Sequence, residues 1–544
     1  MAVDGGAAAR SPAFTAAEIT RYHRAGWWST TTLSAAVRRN AERTADRVAY
    51  RDHGGAALSW AQFDAAAEAL ARQLVGAGVR PGDRVAVWHA DTVGVHVLFV
   101  AIERVAAVVV GLGVRAGPRE LTAILAETAP AFLVTDPPRA QAAVPVAAAA
   151  GTRSLVVRDL RIAAPSLPLP PPLGADDVFL INSTSGTTGL PKCVVHTQNR
   201  WYYFHQKAVA NADLRAEDVF LPVIPTPFGF GLWTSHTTPI HLGARTVLLD
   251  RFSAAATWAA IAEHRVSVLC CVSTQLTMMM ADPARGDHDL SSLRVVFTGG
   301  EALPFHPATA FEDLTGATIL QFYGSNETGL LSGTTVADPR QRRLATAGRV
   351  VPEMAVRLFD GDDDVTATGT GQPACRGPAT SLGYLGGVDH DALFTADGWM
   401  RMGDVCHLDG EGYLTVTGRS SDFIVRGGKN ISAAQVEDAA SAHPAVAVAA
   451  AVAMPDPVFG EKVCLYVERV EPVERAEPVE GTEVGEYADP LDLERLNAFL
   501  LSAGASKEML PERLIVMAQL PRSSGGKIAK GVLREDIRSR TAPR

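Results

Sequence analysis

Short apolar runs separated by helix-like segments occupy much of the N-terminal part of the chain. Residues 63–78 are rich in helix formers and end at a glycine, which predicts a helix. The apolar run that follows, residues 84–89, has the length of a buried strand. Further runs that predict buried strands occupy residues 154–157, 178–181, 266–272, 293–298 and 318–322. Strands that alternate with helices in this way predict a layered α/β fold with mostly parallel sheets.

One apolar stretch, residues 92–111, has the length of a membrane span. His96, Glu103 and Arg104 lie in its middle, and charged side chains at that depth are costly in lipid. The pattern therefore predicts a buried helix of an α/β core and no membrane span.

The texture of the sequence changes near Gly418. Short strand-like runs precede an alanine-rich helix that starts near Ser432, and two more apolar runs follow in residues 445–469. This pattern predicts a small α+β domain over residues 420–544 after a large domain over residues 1–419. The acidic segment 471–490 contains proline and glycine and has little apolar periodicity, which predicts an exposed mobile loop.

Composition and charge narrow the function classes. The chain has 544 residues and a net charge of -9, which argues against nucleic acid as the main partner because phosphate backbones attract basic surfaces. Its six cysteines form no C-x-x-C pair and have no histidine at metal-ligand spacing beside them, which argues against a disulfide framework or a zinc site built on them. The N terminus lacks the apolar run of a secretory signal, so we expect a cytoplasmic protein.

The segment most informative about chemistry is STSGTTGLPK, residues 183–192, which lies between two apolar runs. Its glycines allow the backbone to approach a ligand closely, and its hydroxyl and amide groups suit polyphosphate oxygens. It is not a Walker A loop, because Pro191 precedes Lys192 and a strand-like run follows. We predict that the loop binds phosphate through Thr184, Ser185, Gly186, Thr187, Thr188, Gly189 and Lys192.

STSGTTGLPK resembles the phosphate-loop signature of the adenylate-forming superfamily, which includes acyl- and aryl-CoA synthetases, luciferases and peptide-synthetase adenylation domains. Further segments resemble motifs of that superfamily in the right order: GGEALP from Gly299, QFYGSNETG from Gln321, GWMRMGDV from Gly398, GRSSDFIVRGGKNISAAQVE from Gly418 and PRSSGGKIAK from Pro521. The number and order of these segments make the resemblance specific, and it is closest to acyl-CoA synthetases. It implies a large domain of two sheets and a β-barrel-like subdomain, followed by a small mobile α+β domain.

The resemblance implies an ATP-dependent enzyme that activates a carboxylic acid as acyl-AMP and passes the acyl group to the thiol of coenzyme A. The carboxylate attacks the α-phosphorus of ATP and expels pyrophosphate. Because both reactants are anions, positive charge must hold them together. By resemblance, Lys527 is the catalytic residue, and Glu327 binds Mg²⁺, a hard cation that prefers oxygen ligands.

The resemblance also implies binding roles for other residues. The adenine site would comprise Gly299, Gly300, Glu301, Ala302, Phe322, Tyr323, Gly324 and Asn326, and the ribose site Asp404 and Arg419. The acyl pocket would comprise Phe228, Phe230, Trp233 and Thr298, a composition that suits a hydrophobic acid. After rotation of the small domain, the thiol tunnel and hinge would comprise Ser421, Asp422, Gly427, Gly428 and Lys429.

Several positions depart from the pattern of the superfamily. Cys193 stands where glycine is usual, Phe228 where histidine is usual, and Asn326 where threonine is usual. Gly525 replaces a hydroxyl residue, and Ser421 replaces an acidic residue or lysine. These departures, of which Asn326 alters one phosphate or metal contact, are compatible with nucleotide chemistry but bear on the domain rotation and therefore on the CoA step. The alternative is transfer of the acyl group to a carrier-protein thiol or by a separate acyltransferase.

Two further interpretations concern the fate and the existence of the adenylate. One is oxidation of the adenylate in the manner of a luciferase, and the other is a nucleotide-binding protein without catalysis. The joint presence of Lys527, Glu327 and Asp404 argues against the second of these. Residues 228–233 contain no aspartate to receive an α-ammonium group, which argues against amino-acid activation.

Overall fold

The computed structural model of the protein describes most of the chain. The described residues are 14–53, 55–157, 167–184, 192–387, 389–419, 422–426, 429–456, 458–470, 491–503, 505–523 and 527–541. The segment 471–490, for which the sequence predicts a mobile loop, lies outside them.

Helices and strands alternate through the large N-terminal part. The helices are α1 (Ala16–Arg24), α2 (Leu33–Arg43), α3 (Trp60–Ala77), α4 (Val93–Arg104), α5 (Pro118–Thr128), α6 (Ala140–Ala149), α7 (Gln198–Ala212), α8 (Gly229–Leu232), α9 (Thr238–Leu242), α10 (Ala254–His264), α11 (Ser273–Ala281), α12 (Phe305–Thr315), α13 (Arg340–Ala345), α14 (His390–Leu393), α15 (Ala433–Ser441), α16 (Leu493–Ser502) and α17 (Lys530–Thr541). The strands are β1 (Val48–Asp52), β2 (Ala57–Ser59), β3 (Arg84–Trp88), β4 (Val108–Gly111), β5 (Phe132–Thr135), β6 (Arg153–Val156), β7 (Val178–Thr184), β8 (Lys192–Thr197), β9 (Val219–Pro222), β10 (Arg245–Leu248), β11 (Val268–Cys270), β12 (Val295–Gly299), β13 (Thr318–Ser325), β14 (Gly329–Gly333), β15 (Arg349–Val350), β16 (Ala355–Asp360), β17 (Asp363–Asp364), β18 (Thr370–Arg376), β19 (Met400–Arg401), β20 (Asp404–Leu408), β21 (Leu414–Arg419), β22 (Phe423–Arg426), β23 (Lys429–Ser432), β24 (Val446–Asp456), β25 (Gly460–Arg469) and β26 (Arg513–Met517).

The strands of the described residues form four sheets. A nine-stranded sheet has the order β15-β14-β13-β12-β11-β9-β10-β1-β2 and is parallel from β13 to β1. A six-stranded sheet has the order β6-β5-β3-β4-β7-β8, in which only the β7–β8 pairing is antiparallel. A second six-stranded sheet, which is antiparallel, contains β16 to β21, and the C-terminal sheet contains β22 to β26. The predicted α/β architecture with a small C-terminal α+β region is confirmed.

Helix α3 illustrates how local sequence signals position the core. Ser59 and Gln62 form a capping box at its start, and Gly78 ends it with a φ of 96° that disfavours other residues. The helix begins three residues before the predicted segment and buries an apolar face that includes Phe63 and Leu70. It packs against helix α4.

The apolar stretch 92–111 is only partly a helix, so the prediction of one buried helix is wrong at its C-terminal end. Helix α4 stops at Arg104, the chain turns at Ala106 with a φ of 55°, and the β-branched run 108–110 continues as strand β4. The buried charges are satisfied, because Glu103 accepts a hydrogen bond from the Ser34 amide at 3.0 Å and Arg104 pairs with Asp64. Within the described residues, no helix has the length and apolarity that crossing a membrane requires.

The C-terminal α+β region touches the large part near the ends of strands β12 and β21. The Phe305 amide donates to Asp438 Oδ1 at 3.2 Å, and Ser432 Oγ donates to the Thr417 carbonyl at 2.6 Å. Strand β21 pairs with β20 of the antiparallel sheet rather than with the C-terminal sheet. Strand β21 ends at Arg419 in the antiparallel sheet, and β22 begins at Phe423 in the C-terminal sheet.

Candidate active site

The predicted adenine residues meet where two neighbouring parallel strands end. Strand β12 ends at Gly299 and pairs with β13 in a register that sets Gly299 opposite Phe322. A Cβ on Gly299 would lie 2.4 Å from the Phe322 carbonyl oxygen, and one on Gly324 would lie 1.6 Å from that of Gly329. The glycines are therefore required for backbone contact between strands β12, β13 and β14.

Glu301 points away from this edge. The amide and hydroxyl of Thr274 both donate hydrogen bonds to Glu301 Oε2, at 3.1 Å and 2.9 Å. A contact of this residue with a nucleotide would therefore use its backbone. The neighbouring Ala302 is exposed.

The two predicted ribose residues are directly opposite each other. Asp404 and Arg419 are cross-strand partners at the ends of β20 and β21. The hydroxyl of Tyr323 donates a hydrogen bond to Asp404 Oδ2 at 2.8 Å and lies 3.5 Å from Cys406 Sγ. Burial, reinforced by the Asp404 charge, raises the pKa of Tyr323 well above its ordinary value, so the phenol stays protonated and remains a donor.

Lys192 and Glu327, the predicted phosphate and metal residues, share a neighbour that the motifs did not reveal. The Tyr384 hydroxyl donates to Glu327 Oε1 at 2.8 Å, and Lys192 Nζ lies 5.1 Å from the centre of the Tyr384 ring. Lys192 Nζ also pairs with Asp389 at 2.8 Å. Burial, followed by the Glu327 charge, raises the pKa of Tyr384. Of the other predicted phosphate residues, Thr184 pairs with Lys192 across β7 and β8, and residues 185–189 lie outside the described part.

Asn326 is oriented by a buried hydrogen-bond network around Asn182. Asn182 donates to the Pro227 carbonyl at 2.8 Å, and its own oxygen accepts from Asn326 Nδ2 at 2.6 Å and from His196 Nε2 at 2.7 Å. The donor role of His196 Nε2 follows because Arg200, which can only donate, contacts Nδ1 of the same ring. The network joins the strand before the phosphate loop to the segment of the predicted acyl pocket.

Arg200 contacts the same region through hydrogen bonds to backbone carbonyls. Its guanidinium donates to the carbonyl of Asn326 at 2.8 Å and to that of Ala379 at 2.9 Å. Burial lowers the pKa of Arg200 to about 9, and the nearby Glu327 charge partly offsets this effect. Asn182, His196 and Arg200 lie outside the recognised motifs, and the sequence carried no signal that joined them.

The segment of the predicted acyl pocket is anchored by an aromatic cluster. Trp233 stacks on Phe204 at 4.6 Å and on Phe230 at 5.6 Å between ring centroids, and Phe297 meets it edge-on at 5.0 Å. Trp233 is 2% exposed, whereas Phe228 and Phe230 are half-buried. Thr298 is also buried, at the end of β12. Of the four residues of the predicted acyl pocket, Trp233 and Thr298 are therefore more deeply buried than Phe228 and Phe230.

Lys527 reaches the adenine edge from the C-terminal region. A Cβ built on Gly300, whose φ is +77°, would lie 2.9 Å from Lys527 Nζ. The Ser523 amide donates a hydrogen bond to the Lys527 carbonyl at 2.7 Å. Lys527 is thus brought to the same edge as Gly299, Phe322 and Tyr323.

Two of the predicted thiol-tunnel and hinge residues, Asp422 and Lys429, belong to the described part of the C-terminal region. Asp422 is held within the C-terminal region by Arg534, at 2.5 Å, and lies 3.9 Å from Lys530 Nζ. Lys429 begins β23 and is the cross-strand partner of Arg426. Ser421, Gly427 and Gly428 lie outside the described residues.

Comparisons with known proteins identify the class of enzyme. A family model described as "AMP-binding enzyme" matches residues 37–385, and the chain therefore belongs to this family, within the adenylate-forming superfamily. It is an AMP-forming acid–thiol ligase by class and adenylates carboxylic acids.

Two curated relatives and one solved structure illustrate the similarity. The medium-chain fatty-acid–CoA ligase of Escherichia coli is 31% identical over 95% of this chain and 93% of its own length. The salicyl-AMP ligase / salicyl-S-ArCP synthetase of Mycobacterium tuberculosis is 30% identical over 99% of this chain and 96% of its own. The crystal structure of an anthranilate CoA ligase in complex with anthranoyl-AMP has a TM-score of 0.83 at 22% identity, over 94% of this chain and 98% of that one, which shows a shared fold.

Proposed function

We propose that the protein is an AMP-forming ligase that joins a hydrophobic acyl or aryl acid to coenzyme A. The observation that carries the proposal is the approach of Lys527 Nζ to Gly300, because it brings a cation from the C-terminal region to the predicted nucleotide edge. A CoA ligase among the relatives that match nearly the whole chain adds support.

In the first half-reaction, the acid's carboxylate oxygen attacks the α-phosphorus of ATP, a P–O bond forms, and pyrophosphate leaves. Lys527 would stabilise the negative charge shared by the attacking carboxylate and the phosphate. Asp404, oriented by Tyr323, would accept hydrogen bonds from the ribose hydroxyls, with Arg419 beside it. Tyr323 would contact the adenine along with the glycine edge at Gly299.

Residues of the phosphate side fit a magnesium–triphosphate complex. Glu327 offers a carboxylate oxygen, the ligand type that Mg²⁺ prefers, and Tyr384 fixes its orientation. Bound Mg²⁺ would neutralise charge on the triphosphate. Lys192 would contact a phosphate oxygen, for which it would leave Asp389. Asn326 precedes Glu327 in the chain, and its side chain is oriented by a hydrogen bond to Asn182.

In the second half-reaction, the CoA thiolate would attack the carbonyl carbon of acyl-AMP, and AMP would leave as the thioester forms. The chain would divide into a large domain, residues 1–419, and a lid, residues 420–544, that rotates about Ser421 and Asp422. Rotation would withdraw Lys527 and bring Gly427, Gly428 and Lys429 to a thiol tunnel. Among the described residues, hydrogen bonds at Thr417 and Phe305 join the regions and would exchange during such a motion.

The half-reactions can be separated in the variant Lys527→Ala. We expect acyl-AMP formation, measured by pyrophosphate release without CoA, to fall at least about 100-fold, since about 3 kcal/mol of transition-state stabilisation is lost. Reaction of preformed acyl-AMP with CoA should persist. The control is Lys507→Ala, an exposed lysine of the same region. Adenylation by Lys527→Ala at the wild-type rate would exclude the proposed role.

The alternative to coenzyme A as the acceptor is a carrier-protein thiol, or transfer of the acyl group by a separate acyltransferase. The relative named as a salicyl-S-ArCP synthetase, which matches the chain over nearly its full length, favours keeping it. Thioester formation should be measured with free CoA and with a phosphopantetheinylated aryl carrier protein in parallel. Product with CoA at a comparable or higher kcat/KM supports the main proposal, and product with the carrier alone supports the alternative.

A further inference from the structure

A cluster of possible metal ligands lies outside the candidate active site. His53 follows strand β1, and Glu263 and His264 end helix α10. His53 Nδ1 is 3.2 Å from His264 Nε2, and the Glu263 carboxylate oxygens are 3.8 Å from the first nitrogen and 3.6 Å from the second. Among the described residues, these three side chains could hold a metal ion together, because their ligand atoms all lie within 4.8 Å of one another.

The backbone around the cluster is fixed by strand β10. The His53 amide donates to the Leu248 carbonyl at 2.8 Å, and Arg245 Nη2 donates to the His264 carbonyl at 2.6 Å. The two imidazoles therefore approach each other from segments far apart in sequence that the nine-stranded sheet holds together. Such preorganisation lowers the cost of assembling a binding site.

The distances match the requirements of a transition-metal ion. Imidazole nitrogens bind Zn²⁺ at about 2.0–2.1 Å, so two nitrogens 3.2 Å apart can both reach one ion with an angle near that of a tetrahedron. The Glu263 side chain is 58% exposed and free to move a few tenths of an ångström closer. Solvent can reach the site, because the His53 side chain is 27% exposed.

We propose that His53, Glu263 and His264 bind a divalent transition metal, with Zn²⁺ the best match and water completing the coordination. Two imidazoles and one carboxylate form a ligand set of borderline softness, which favours Zn²⁺ over Mg²⁺. The site is therefore chemically distinct from the magnesium site proposed at Glu327, whose ligand is a carboxylate. It depends on neither the nucleotide nor the identity of the acid.

The bound ion would join the turn after β1 to the end of α10. Asp52, immediately before His53, accepts a hydrogen bond from the Val93 amide at the start of α4 at 2.9 Å, so the same turn also supports α4. Because the ion binds the folded chain, it would stabilise that state by mass action. The expected effect is on unfolding rather than on the chemical step.

The test uses the full-length chain with any affinity tag removed. Equilibrium dialysis against Zn²⁺, in buffer with millimolar Mg²⁺, should give one ion per chain, and Zn²⁺ should raise the melting temperature. The variants His53→Gln and Glu263→Gln change surface side chains and should each weaken zinc binding at least about tenfold. The control is His288→Gln, which alters a histidine outside the cluster.

A spectroscopic measurement guards against adventitious binding and against misfolded variants. Co²⁺ in place of Zn²⁺ should give the visible absorption of a four-coordinate site in the wild type and in His288→Gln, but not in His53→Gln. Equal zinc affinity in the wild type and His53→Gln would overturn the proposal, as would complete displacement of Zn²⁺ by millimolar Mg²⁺. The two histidines would then be joined by a hydrogen bond alone.

Discussion

The hydroxyl of Tyr323 donates a hydrogen bond to Asp404 at 2.8 Å, and this bond joins the nine-stranded sheet to the antiparallel sheet. The first residue lies on β13 and the second begins β20. The bond therefore sets the position of the predicted ribose site relative to the predicted adenine site. Disturbing it should affect nucleotide binding before it affects folding.

We expect Tyr323→Phe to raise the KM for ATP about tenfold or more. The variant removes a hydrogen bond to a charged group, worth about 1.5–3 kcal/mol, that orients Asp404. Steady-state kinetics at saturating acid measure this change. Tyr413→Phe is a matched control, because Tyr413 donates in the same way to Asp338, outside the candidate site. Equal KM values for all three proteins would contradict the assignment of Asp404 to the ribose.

Gly300→Ala should impair adenylation more than the thioester step. The new Cβ would meet Lys527 Nζ at 2.9 Å, and the φ of +77° adds about 1–2 kcal/mol of backbone strain. Pyrophosphate release should fall at least about tenfold, while the reaction of preformed acyl-AMP with CoA should change less. In the control Gly403→Ala, the added Cβ has no atom within 4 Å. A proportional loss of both half-reactions would show that the strain acts through folding alone.

Asn182→Ala should lower the free energy of unfolding by at least about 2 kcal/mol. The change leaves the Pro227 carbonyl and the donors of His196 and Asn326 unpaired, and each buried unpaired group costs about 1–3 kcal/mol. Urea unfolding measures the loss. Asn497→Ala is the comparison, because Asn497 also donates to a proline carbonyl, that of Pro511, and is expected to cost about 1 kcal/mol. Equal effects would argue against the network.

The stability of the protein should fall as the pH drops below about 6.5. Burial lowers the pKa of several histidines, including His205, to about 4, and His236, to about 3, and it lowers those of His96, His196 and His241 below the ordinary value. These rings stay neutral in the folded chain, whereas the unfolded chain takes up protons below about pH 6.5. Their contribution is fully present above that pH and is lost as the pH falls towards the folded-state values.

Among the described residues, four buried carboxyl groups act in the opposite direction, and burial raises the pKa of two of them, Asp91 and Glu437, above the ordinary value. Burial raises the pKa of Glu103 to about 7 and that of Asp52 to about 6, so the folded state binds protons there that the unfolded state does not. The histidines outnumber them, and each net proton changes stability by about 1.4 kcal/mol per pH unit.

Urea unfolding at pH 7.5, 6.5 and 5.5 measures the slope. His236→Gln should reduce it and the exposed His306→Gln should not. A stability that rises on acidification would contradict the interpretation.

The sequence predicted the parts of the fold and site that local signals encode. Capping residues and a terminal glycine identify α3, and the motifs name the residues at Gly299, Tyr323 and Lys527 that the structure brings to one edge. The division of the stretch 92–111 into α4 and β4 was not predicted, because a short buried apolar run fits a helix and a strand equally well.

The supporting residues of the site could not be predicted from the sequence. Tyr384 meets Glu327 from 57 positions away, and Asn182 meets Asn326 from 144 positions away. Such pairs depend on how the sheets pack, and no local pattern encodes them. The side chain of Glu301 is a similar case, because Thr274 of helix α11 donates a hydrogen bond to it.

The difference in burial between the aromatic residues of the predicted acyl pocket indicates which positions are suitable for engineering. Trp233 is clamped between Phe204, Phe230 and Phe297, so its replacement would leave a large void in the core. Phe228 and Phe230 are half-buried, so replacing them should disturb the core less than replacing Trp233. Libraries that aim to widen or redirect the range of acids should therefore vary positions 228 and 230 and keep the tryptophan.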